Sequence, residues 1–405
     1  MKTVRLIRSA RRILLGAALL FGGMIGQNTY AGEWSGRVGA ELRLFTAAAL
    51  DPHQGGDNLS LFAEPEYYAR WNDERDSLTF VPFIRWDQHD TERTHADIRE
   101  LTWQHAAQNW ELSAGIRKIF WGVTESQHLV DIINQTDLVE NPDGEEKLGQ
   151  PMIDLALIRD WGTLDLFILP GFRERTFPGV EGRLRTPLPV DTSQAIYAAP
   201  QKQRHIDAAL RWRHTFDDWD VGLSHFSGTS REPRLLPDLN DRGEAVLIPH
   251  YDLIDQTGLD LQLTRAAWLW KLEAIRRVGH GPAYYAATGG FEYTLSGPFD
   301  TATDLGLVAE YLYDERGNAS PNPFQDDLML GLRFTFNDVQ SSDLLIAAIV
   351  DRETRASSFS LEASRRLGSR WKLAIEARGF AHNSTDLLSH LRNDDYLQAE
   401  LSFYY

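Results

Sequence analysis

From Leu397 onward, apolar side chains take every second position: Leu397, Ala399, Leu401, Phe403 and Tyr405, with Gln398, Glu400, Ser402 and Tyr404 between them. Successive side chains of a β-strand point to opposite faces, so this segment has one apolar face with a terminal aromatic and one mostly polar face. The pattern recurs upstream. Leu305, Leu307, Ala309, Tyr311 and Tyr313 alternate with Gly306, Glu310 and Asp314, and Leu328, Leu330, Leu332, Phe334 and Phe336 with Gly331, Arg333 and Thr335. Trp371, Leu373, Ile375 and Ala377 alternate with Lys372, Glu376 and Arg378. A Lys or Arg at the midplane of a lipid-facing surface costs roughly 2–4 kcal/mol, so the charged face must look inward. A closed antiparallel β-barrel accommodates both faces and leaves no unpaired backbone edge in hydrocarbon.

About eighteen such segments follow one another from 33–46 to 395–405, including 109–120 as the fifth and 153–160 as the sixth. An even number is what single-chain bacterial barrels require. Connections at 72–75, 107–108, 160–162, 216–218, 265–266 and 367–369 are tight, and they alternate with longer ones. Short turns face the periplasm in such barrels and long loops face outward, which puts both ends of the sheet on the periplasmic side. Trp34, Trp71, Trp86, Trp219, Trp268, Trp270 and Trp371 fall near strand ends, where aromatic girdles sit. A soluble β-sandwich or propeller is the competing architecture, but it would have shorter strands and no lipid-compatible band.

Lys2, Arg5, Arg8, Arg11 and Arg12 precede an apolar run from Ile13 to Ile25 and then Thr29-Tyr30-Ala31. This predicts a secretory signal peptide over 1–31, cleaved after Ala31, with the barrel over 32–405. The apolar run is short against the roughly 20 residues of a spanning helix. Cysteine is absent, so no disulfide supports the fold. The formal net charge is -17, and losing the five leader cations makes the remainder more acidic still. Nucleic acid is therefore excluded as a partner, and no cofactor is expected. Lipopolysaccharide with its bridging divalent ions is a compatible neighbour.

The longest connection is read as 121–152, between the fifth and sixth strands, and long loops of this kind are usually functional. Within it Asp131, Asn134, Asp137, Glu140 and Asp143 recur every third residue. That spacing predicts a short helical or turn-rich segment with its polar row at the pore, together with Glu125, while Leu129, Val130, Ile133 and Leu138 press on the wall. A solvated outer loop is the plainer alternative. A divalent-cation site drawn from Asp137, Glu140, Asp143, Glu145 and Glu146 is a further one. Inward-facing Arg85, Arg117, Arg173, Arg211 and Arg213 are expected to oppose the acidic loop and set up a transverse field that favours polar solutes.

Lys118 to Gly122, with Asp131, Asn134 and Asp137 beyond it, resembles a group of Gram-negative outer-membrane barrels distantly similar to alginate-export porins. Phe80 to Arg85 and Leu169 to Pro178 resemble motifs of the same group, although Gln135 stands where a Pro is expected. The resemblance implies a porin-like channel passing a hydrophilic small solute across the outer membrane. An export pore for a polymer or small product, working with periplasmic partners, is the alternative it implies. The final strand with Phe403 and Tyr405 also resembles the signal read by the barrel assembly machinery, and the loop after the fifth strand resembles the one that narrows general porins. His225-Phe226-Ser227-Gly228 is faintly similar to the His-x-Ser of outer-membrane phospholipases, but lacks an evident third residue to orient the His, so no catalytic residue is assigned and no enzymatic activity is expected. A structural role with a closed lumen is a further alternative.

Overall fold

The computed structural model describes residues 32–381 and 387–405, so the predicted leader lies outside the described residues. The first strands are β1 (Glu33–Phe45), β2 (Asp57–Trp71), β3 (Asp76–Asp87), β4 (His95–Ala106), β5 (Trp110–Arg117), β6 (Gln150–Arg159) and β7 (Gly162–Pro170). Then come the two-residue β8 (Ile196–Tyr197), β9 (Ile206–Phe216), β10 (Trp219–Thr229), β11 (Arg234–Leu239), β12 (Ala245–Tyr251), β13 (Leu253–Arg265) and β14 (Trp268–Val278). The last are β15 (Tyr284–Leu295), β16 (Asp304–Asp314), β17 (Asp326–Thr335), β18 (Asp343–Asp351), β19 (Ser357–Leu367), β20 (Trp371–Ala381) and β21 (Tyr396–Tyr404).

Eighteen of these pair antiparallel with their sequence neighbours, and the ring closes where β1 meets β21 from Arg37↔Tyr404 to Phe45↔Tyr396. The strands β8, β11 and β12 form a separate three-stranded sheet in the connections above the barrel. The alternation places the two faces as expected. Leu42, Leu61, Ile84, Ile168, Leu210, Leu223 and Leu330 are exposed outward, whereas Glu41, Arg43, Arg85, Asp260, Glu273 and Glu310 are buried toward the lumen.

The tight turns gather at one end with Glu33 and Tyr404, although 296–303 and 336–342 at that end are longer. Ten of the twelve tryptophans lie toward this end: Trp34, Trp71, Trp103, Trp110, Trp161, Trp212, Trp219, Trp268, Trp270 and Trp371. Amphipathic aromatic rings favour a membrane–water interface, so this end carries the stronger girdle. Trp268 stacks on Trp270 at 5.5 Å and meets Tyr293 at 4.5 Å, while Trp371 meets Phe403 at 5.0 Å.

Several features depart from the sequence reading, among them the separate sheet of β8, β11 and β12. The connection 171–205 is slightly longer than 118–149, because β7 ends at Pro170 and β9 begins only at Ile206, while the loop after β5 keeps its length and is shifted by three residues. In addition, β4 carries a bulge: Val81 pairs with Glu100 and Pro82 with Ile98, which leaves Arg99 unpaired and buried toward the lumen. Bulges re-aim side chains in this way. The β2–β3 ladder is also interrupted between Ala63↔Ile84 and Tyr67↔Phe80, where Pro65 and Pro82 offer no N–H.

Candidate functional site: a loop fastened across the lumen

The segment 118–149 folds into the barrel without forming a helix. Its apolar residues make a cluster with the wall, in which Trp121, Val130, Ile132 and Ile133 pack with Met152, Phe167, Phe226, Ile254 and Ile275. Val130 and Ile133 press on the wall as the sequence suggests, with Leu129 partly buried against them, whereas Leu138 lines a cavity.

Wall carboxylates catch the loop backbone. Glu273 accepts from the Val123 N–H at 2.7 Å, the Thr124 N–H at 3.1 Å, the Thr124 hydroxyl at 2.7 Å and the Val130 N–H at 3.1 Å. Glu310 accepts from the N–H groups of Glu125 and Ser126, both at 2.8 Å, and from the Ser126 hydroxyl at 2.6 Å. Each buried carboxylate thus has the donors its charge needs. Gly122 has φ +152°, and a Cβ there would sit 2.8 Å from His128 Nδ1 and 3.0 Å from the Glu273 carboxylate, so a larger residue would push the loop off its anchor.

The three-residue period has a different use from the one its spacing suggests. Asn134 accepts from the Ile119 N–H and donates to the carbonyls of Arg117 and Leu148, each at 2.8 Å, tying the two ends of the loop together. Asp131 accepts from the Trp121 N–H at 3.3 Å and pairs with Lys147 at 3.3 Å. Asp137 pairs with Arg99 at 2.5 Å and accepts from the Thr176 hydroxyl at 2.6 Å. Glu140 receives Arg85 through both Nε and Nη2, at 2.7 to 3.0 Å. All four are buried, so this part of the row fastens the loop and does not line a pore. Without a helix, a period of three aligns nothing.

Glu125 and Asp143 are the predicted loop residues that reach the far wall. Glu125 pairs with Arg333 of β17 at 2.7 Å, and Asp143 with Arg378 of β20 at 3.0 Å. Arg378 also meets Glu362 at 2.7 Å and Glu376 at 2.9 Å, so one guanidinium serves three carboxylates. Burial, with Glu376 and Glu145 nearby, outweighs Arg378 and raises the Asp143 pKa to about 7. Burial disfavours a charged His128, but Glu145 at 3.2 Å and Glu273 at 3.6 Å more than offset this and hold its pKa at about 10.

Of the five predicted arginines, only Arg85 meets a loop carboxylate. Arg117 pairs with Asp154 at 2.9 Å, Arg211 with Asp260 at 2.8 Å and Arg213 with Asp165 at 3.3 Å, all within the wall. Arg173 bonds Asp97 at 2.8 Å and the Gly149 carbonyl at 2.8 Å. Sequence reasoning missed Arg99 and Arg93. The second donates to the carbonyls of Val139 and Glu140 at 2.7 and 3.2 Å and pairs with Glu41 at 2.9 Å. A signal for Arg99 existed: Arg99-Glu100 are adjacent polar residues between Ile98 and Leu101, which breaks the period of two. Ligand atoms of His95, Asp137 and Glu140 lie within 4.8 Å of one another. Arg85 and Arg99 already neutralise those carboxylates, so the group does not suit a cation.

The fastenings run from β3 and β4 through β14, β16 and β17 to β20, and open space remains between them, including a cavity of about 640 Å³ lined by Gly122, Val123, Arg211, Arg213 and Asp260. A cavity of about 880 Å³ at the turn end is lined by Thr335, Asp343, Ser364, Arg366 and Lys372. Inward positions further along the same strands, Met329, Leu345, Ala347, Glu362 and Arg378, line a second cavity of about 610 Å³ facing Glu125, Ser126, His128 and Glu145. The two follow one another along β17–β20.

His225 and Ser227 face outward near the loop end of β10. His225 Nδ1 lies 3.0 Å from the Thr257 hydroxyl and Nε2 lies 4.0 Å from Asp255.

No family profile matches the sequence, and no curated protein does. Among solved structures, the chain superposes on Wzi of Escherichia coli, described as an outer membrane protein involved in group 1 capsule assembly and a carbohydrate binding β-barrel. The TM-score is 0.53 at 9% identity, over 90% of this chain and 84% of that one. It superposes on OccK11 (OpdR) of Pseudomonas aeruginosa with a TM-score of 0.51 at 12% identity, over 93% of this chain and 95% of that one. At these identities the likeness is one of fold: this chain is an antiparallel barrel built like outer-membrane barrels.

Proposed function

We propose that this chain is an outer-membrane channel through which a small hydrophilic solute passes. One observation carries the reading: successive cavities of about 880 and 610 Å³ along β17–β20, beside a loop whose fastenings keep it from filling them. An outward apolar band with an aromatic girdle supports a membrane location, and the shared fold of outer-membrane barrels supports which membrane. An export pore for an anionic polymer would need a continuous basic track. The path instead alternates Arg366 and Lys372 with Asp343, Glu362, Glu125 and Glu145, which favours a small solute.

The test is current through single molecules in a planar bilayer. The native chain is expected to give steady conductance, and removing 125–145 is expected to raise it roughly twofold or more by clearing the narrow section. A refolded, inserted barrel that stays electrically silent overturns the reading.

A further inference from the structure

The inward face of β16–β18 carries an apolar cluster separate from the one that packs the loop. Leu344 to Val350 is an unbroken apolar run, so β18 is apolar on both faces, although only Leu344, Ile346, Ala348 and Val350 lie on the outward one. Its inward residues Leu345, Ala347 and Ile349 continue across the sheet into Met329, and Ala347 and Met329 cluster with Val308 and Leu312, with Ile349 and Phe324 packed against them. A water-filled lumen does not call for such a strip, because inward positions of a channel are ordinarily polar. The strip is only partly covered: Leu345 and Ile349 are half-buried where they line the cavity of about 610 Å³, whereas Met329 and Ala347, at its floor, are buried.

Charge lies along the edges of this strip. Glu362 is the direct cross-strand partner of Leu345, and Glu145 stands on the loop opposite. Their side chains are 49% and 54% exposed, whereas Arg378 and His128, the cations beside them, are 19% and 15% exposed and hemmed in by carboxylates. The charge presented to a solute in the slot is therefore negative.

We infer that the slot between the loop and β17–β19 takes a monocation with an apolar body, an alkyl- or arylammonium, the ammonium beside Glu362 and Glu145 and the body along Leu345 and Ile349. Leu345 to Ile349 spans about 13 Å of strand, enough for a short alkyl chain or one ring. The volume lies within the range of small-molecule sites. This inference rests on the channel reading and names the solute class for it.

Block of potassium current by added solute tests it. Hexylammonium should half-block at a concentration at least about tenfold lower than methylammonium, since its extra methylenes leave water on the strip. Hexanoate should not block. Leu345→Ser, with Ile349→Ser in parallel in case one fails to fold, should erase most of the difference between the two amines, and Glu362→Gln should weaken both. Potassium current in each variant reports insertion. Equal block by the two amines, block by hexanoate, or indifference to both serine variants would overturn the inference while leaving the channel standing. Absence of potassium current in the native chain would remove the channel and the slot together.

Discussion

The Arg99–Asp137 contact shows how much one position can carry. Both side chains are buried, at 2.5 Å, in a network that also holds Arg85, Arg93, Glu41 and Glu140. A buried ion pair adds little net stability over an apolar pair, but removing one partner strands the other charge, at a cost of about 3–5 kcal/mol. Asp137→Ala should therefore release the loop, seen as rapid proteolysis within 137–147, while Arg99→Met with Asp137→Leu should recover part of the protection. Asp143 responds to pH instead. Docked beside Arg378, Glu376 and Glu145, it keeps its proton up to about pH 7, whereas a free aspartate ionises near 3.8. Between those values ionisation favours the released loop, so docking is firmest below about pH 4, weakens as pH rises to about 7 and is level above it. Loop-driven current noise should follow that course in native channels, and Asp143→Asn should flatten it.

Among elements, β4 and β18 depart from simple alternation, each with a consequence for the interior. The bulge in β4 turns Arg99 inward, and with it the anchor for Asp137. In β18 both faces are apolar, which allows two substitutions a short distance apart to be compared across the wall. Leu330 of β17 is 57% exposed on the outer face, and Leu330→Arg should destabilise the barrel folded in bilayers by roughly 2–4 kcal/mol, measured by denaturant titration in lipid. Leu345→Arg places the same charge in the aqueous slot beside Glu362, so its effect on folding should be much smaller and its effect on cation passage larger. If both variants fold equally poorly, the assignment of outer and inner faces of this wall fails.

For the whole molecule, acidic character and an eccentric path combine. With a formal net charge of -17 and exposed Glu145 and Glu362 beside the slot, reversal potentials in a potassium chloride gradient should show preference for potassium over chloride, diminished in Glu145→Gln with Glu362→Gln. Eighteen strands, their inward and outward faces and the closing role of Leu397 to Tyr404 were legible from residue order alone, because a strand's period of two converts spacing directly into face. The carboxylates of 131–140 were visible as a row, but their use was not: a loop has no fixed period, so whether Asp137 meets water or Arg99 depends on where β4 bulges and where β7 sends Thr176. The run from Leu344 to Val350 was equally visible as an apolar strand, yet only closure of the barrel, with the loop drawn toward Glu273 and Glu310, left Leu345 and Ile349 of its inner face partly open to the lumen. Local geometry fixed the wall; contacts between residues distant in sequence decided what the wall encloses.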